Sequence, residues 1–69
     1  MAYRTVKTVH GDAQCWARVQ WSPELEEFRV RFYRHAERME EADYFTNDKA
    51  DAMGTARAEV ARMEARGQA

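Results

Sequence analysis

The hydrophobic period of this chain changes once, from two residues to between three and four, and the change falls near residue 46. Upstream, Cys15, Ala17 and Val19 alternate with Trp16, Arg18 and Gln20, and Phe28, Val30 and Phe32 alternate with Arg29, Arg31 and Tyr33. Successive side chains of a strand point to opposite faces, so each run reads as a strand with one apolar side. Downstream, Met53, Ala56, Val60 and Met63 recur at helical spacing, with Ala52 beside them. A one-sided sheet and a helix with one apolar stripe bury those surfaces by packing together. The expected fold is α+β: a three- or four-stranded antiparallel β-meander with one long C-terminal helix packed on one sheet face.

At 69 residues there is room for one domain and one core. The meander is assigned to residues 1–46 and the helix to 47–66. Residues 3–9 are rich in β-branched and aromatic types and supply a first strand. Gly11-Asp12 is expected to supply the positive φ of a tight hairpin turn. Ser22-Pro23-Glu24 breaks the ladder, because proline has no N–H to donate. The chain is expected to turn around His35 to Arg38, and Asp43-Tyr44-Phe45 suits a short fourth strand. Thr46 or Asn47 can cap the helix, with Asp48 and Asp51 in its first turn, and Gly67 is a natural stop.

A rival reading starts a helix at Ser22-Pro23-Glu24, since Leu25, Phe28, Phe32, Ala36 and Met39 also recur at a helical period. It leaves Val30 and Tyr33 off the apolar face, and the strand reading is preferred.

Charge excludes some functions. Charged residues are 33% of the chain but nearly cancel, leaving a formal net of −1, which does not suit a bulk polycation that coats nucleic acid. Through Arg34 the chain has six basic residues against four acidic, and beyond it five against eight, so the first part is mildly basic and the second acidic. The single Cys15 cannot form an internal disulfide and fits a reducing compartment. Cys15, His10 and His35 have no metal-ligand spacing, and neither a metal nor a cofactor is expected. No apolar run is long enough to span a membrane, and Met1-Ala2-Tyr3-Arg4 lacks the core of a signal peptide, so a cytoplasmic protein is expected. The two histidines lack a paired nucleophile and the glycines are dispersed, so no enzyme is expected.

Binding residues are easier to find. Pairing of the two best strands through the 22–27 connection would place Trp16, Arg18, Arg29, Arg31 and Tyr33 on one face, with Gln20, away from the helix. Trp, Tyr and Arg dominate interface hot spots, and the same types stack bases and grip phosphates. They also make an ordinary solvated sheet face, with arginine stems over rings. The acidic clusters Glu24, Glu26, Glu27 and Glu37, Glu40, Glu41, Asp43 read either as steering charge or as solvated loops. A helix stripe of small residues, Ala50, Gly54, Ala61 and Ala65, would suit a homodimer seam, or reflects alanine's helix propensity.

The stretch from Glu27 to Tyr33, followed by Ala42-Asp43-Tyr44-Phe45-Thr46-Asn47-Asp48-Lys49-Ala50-Asp51-Ala52, resembles small phage and prophage proteins in which a meander leads through such a junction into a helix. That resemblance implies a stoichiometric binder that modulates or inhibits a host protein complex, a class that includes anti-CRISPR proteins. A looser resemblance is to the sheet-plus-helix DNA-binding domains of plant AP2 factors and integrase arm-binding domains, carried by Tyr44-Phe45-Thr46. It implies a DNA-binding sheet face as the alternative, against which stand the acidic Asp48, Asp51, Glu59 and Glu64 of the helix.

Overall fold

The computed structural model describes residues 3–11, 14–35 and 37–67. Strands β1 (Arg4–His10), β2 (Cys15–Ser22) and β3 (Glu27–Arg34) form an antiparallel meander. The far edge of β3 carries two short strands, β4 (Glu37–Arg38) and β5 (Tyr44–Thr46), separated by a single 3₁₀ turn at Glu40–Ala42. Helix α1 (Lys49–Gly67) closes the chain. The expected α+β architecture is the one observed, and the described residues between 23 and 42 form strands and turns rather than the rival helix.

The β2–β3 ladder runs from Cys15↔Arg34 to Ser22↔Glu27 without a slip, so the period read from the sequence holds through both strands. Cys15, Ala17, Val19, Val30 and Phe32 are buried on one side, where Ala52, Ala56, Val60 and Met63 of α1 meet them. Met53, Val9, Phe28, Met39 and Ala42 pack around this core. The small Ala17, Ala52 and Ala56 let the helix approach the sheet closely, while Phe32 and Met63 supply the bulk. Trp21 extends the apolar layer by packing on Phe28, ring centres 4.5 Å apart.

Two local expectations are corrected. Gly11 has no positive φ, and Asp12 lies outside the described residues. Gly11 is needed instead because a Cβ there would come within 2.6 Å of Val60 Cγ1 and 2.9 Å of Glu64 Cδ: the hairpin end is pressed against the helix. The helix cap falls on Asp48, whose Oδ1 accepts from the N–H groups of Ala50 (2.9 Å) and Asp51 (3.2 Å). Thr46 supports that cap by accepting the Asp48 N–H at 3.2 Å. The turn expected around His35 to Arg38 is present: His35 enters it with a left-handed φ of 53°, and Glu37 and Arg38 return antiparallel to β3 as β4.

The β2–β3 connection is a four-residue loop closed by Glu26, also left-handed at φ 50°. The buried Ser22 at its base accepts the Leu25 N–H at 3.3 Å, so this polar side chain is satisfied. Helix residues Ala50, Gly54, Ala61 and Ala65 are exposed, and a Cβ at Gly54 would meet nothing within 4 Å.

Candidate binding face

The sheet face turned away from α1 is built by register. Trp16 pairs with Tyr33, Arg18 with Arg31 and Gln20 with Arg29, so all five predicted site residues share it. In β1, Thr8 pairs with Arg18 and His10 with Trp16, which puts both on the same side. The register slips between Thr5 and Lys7, leaving Val6 as an extra residue. That bulge inverts the parity of the strand start, so Thr5 pairs with Gln20 on the open face and Tyr3 follows it there. Arg38 joins by pairing with Tyr33, and Phe45 by pairing with Arg29.

Side chains on this face hold one another. The Trp16 and Tyr33 rings stack at 5.2 Å with only 9° between their planes. Arg18 places its guanidinium 5.5 Å from the Tyr33 ring centre, and Arg29 lies 3.7 Å over the Tyr3 ring. Arg29 Nε donates to Gln20 Oε1 at 2.9 Å, and the Tyr3 hydroxyl donates to Glu27 Oε1 at 2.7 Å. Tyr3 thus ties strands β1 and β3 together across β2. Arginines backed by rings turn their remaining N–H groups outward from the sheet side chains that they touch.

Cations outnumber anions here. Four arginines, Arg18, Arg29, Arg31 and Arg38, share the face with two engaged carboxylates. Glu27 accepts from Tyr3, and Asp43, at the entry to β5, takes Arg38 in a short charge-assisted hydrogen bond. The ion pairs among the described residues involve Arg38 and Arg62; Arg18, Arg29 and Arg31 take part in none. Burial, and then repulsion from Arg31, lowers the pKa of the Arg29 guanidinium, an effect that Tyr3 and Asp43 oppose. Burial, followed by the Glu27 hydrogen bond, raises the Tyr3 phenol above its ordinary 10.0. Arg31 Nε and Asp43 Oδ1 are buried without a hydrogen-bond partner, which is unfavourable for the fold.

The predicted residues therefore come together, and Tyr3 and Arg38 join them without a sequence signal; Asp43, read as part of an acidic cluster, and Phe45, read as part of the junction into the helix, lie on the same face. Cys15 is buried in the core, and the described residues contain no cluster of His, Cys, Asp and Glu able to hold a metal ion. His35 lines a depression of about 330 Å³ with Arg34, Glu37, Arg38, Met39 and Glu41, a mixed-charge hollow at the end of the sheet. No helix of the described residues is long and apolar enough to cross a membrane. No family model matches the chain, and neither a curated protein nor a solved structure matches it.

Proposed function

We propose that this chain is a non-enzymatic binding module that docks a protein partner on its open sheet face, as a small phage-type modulator or inhibitor of a host complex would. The observation that carries this reading is the preorganised lattice of Trp16 on Tyr33, Arg18 beside the same ring, and Arg29 on Tyr3. Rings and guanidinium groups already held in place lose little conformational freedom on binding. These groups stack and grip; they do not transfer protons or attack bonds at neutral pH.

The DNA-binding alternative draws support from the four clustered arginines, which suit phosphate. Two features favour protein. The Tyr33 and Tyr3 rings are already engaged by neighbouring side chains, leaving less platform for bases. Acidic residues also flank both ends of the face: Glu24 and Glu26 in the β2–β3 loop, and Glu37, Glu40 and Glu41 around β4. A long polyanion would run over them.

Alanine substitution tests the reading. Trp16→Ala and Tyr33→Ala, each checked for native circular dichroism, should weaken co-purification of the protein partner by roughly thirtyfold if they are hot spots. Undiminished capture by both variants would contradict it.

A further inference from the structure

Resting on the protein-docking reading, we infer that the partner presents an acidic segment: a short run of Asp or Glu side chains laid across β2 and β3 and gripped by Arg18, Arg29 and Arg31. Charge complementarity selects this occupant. These three guanidinium groups occupy facing and diagonal positions in the β2–β3 register, and none has an ion-pair partner among the described residues. Arg29 and Arg18 lie near the Tyr3 and Tyr33 rings, and a guanidinium offers the paired N–H groups that two-point contact with a carboxylate uses. The acidic loops at both ends of the strands limit how far negative charge can extend, which suits a short segment. Phe45, half exposed beside Arg29, adds an apolar contact at the rim.

Like charge is held together here at the fold's expense. Arg18 and Arg31 are direct cross-strand partners, and like charges so placed repel. A carboxylate between them turns that repulsion into attraction, so the apposition is relieved by the proposed partner.

The test uses an eight-residue peptide alternating Glu and Ser, matched to the eight residues of β2, with a Gln/Ser peptide and mixed-sequence single-stranded and duplex DNA as comparators. Binding to the whole protein is read by fluorescence anisotropy at low salt. Two double variants remove the same charge from different places: Arg18→Gln/Arg31→Gln on the sheet, and Arg57→Gln/Arg62→Gln on the helix. The Glu/Ser peptide should bind while the Gln/Ser peptide does not. The sheet variant should lose about tenfold in affinity, and the helix variant should stay within about twofold of wild type. Equal losses from both variants, or no binding of the Glu/Ser peptide, would overturn the acidic-segment inference; the open face could still dock a different protein surface. DNA binding tighter than the Glu/Ser peptide, abolished by the sheet variant, would overturn both this inference and the protein-docking reading.

Discussion

Arg18 and Arg31 face each other directly in the β2–β3 ladder, two like charges on adjacent strands of the open sheet face. Directly opposed like charges destabilise a sheet by a few tenths to about 1 kcal/mol, and Arg31 Nε is also buried without a hydrogen-bond partner. Replacing Arg31 with Gln should therefore raise the urea midpoint, by up to about 1 kcal/mol of stability. A fall of that size would mean that Arg31 is a structural residue rather than a binding one.

The helix offers a stabilising substitution away from the face. Gly54 is exposed in the middle of α1, and a Cβ there would meet nothing. Gly54→Ala should stabilise the domain by roughly 0.5–1 kcal/mol through reduced chain entropy in the unfolded state. Thermal unfolding at several protein concentrations checks this. A concentration-independent gain fits an exposed helix side, and a concentration-dependent loss would point to a seam between copies.

Alkaline stability should depend on two tyrosines. The Tyr3 phenol is raised by burial and then by its Glu27 hydrogen bond. Tyr44 is raised first by its hydrogen bond to Asp51 and then by burial, with Thr55 opposing. A folded value above the unfolded one holds the proton more tightly in the fold. That contribution is complete below the ordinary 10.0 and is lost as pH rises through the higher folded values. Denaturant titrations at rising pH should show wild type losing stability more steeply above pH 10 than Tyr3→Phe/Tyr44→Phe. Parallel curves would remove both hydrogen bonds from the account.

How much was legible in the sequence followed from how regular each strand is. β2 and β3 keep an uninterrupted two-residue period and pair without a slip, so their alternation alone places Trp16, Arg18, Arg29, Arg31 and Tyr33 on one face. Tyr3 could not, because the Val6 bulge inverts the parity of β1 and nothing in the 3–9 composition marks it. Arg38 and Phe45 lie in strands of two and three residues, too short to display a period. Gly11 read as a turn glycine, whereas its role depends on Val60 and Glu64, which reach it only in the folded protein.

In the proposed function the open face, and not the helix, meets the partner. Photo-crosslinking from single positions in the cells that express the protein tests it most directly. A benzophenone side chain at Thr8, the β1 residue paired with Arg18 of β2, samples the open face; one at the exposed Ala58 samples the outer side of α1. Protein adducts should form from the Thr8 position and weaken in the Arg18→Gln/Arg31→Gln background, with none from Ala58. Adducts formed chiefly from Ala58, or equally from both positions, would contradict it.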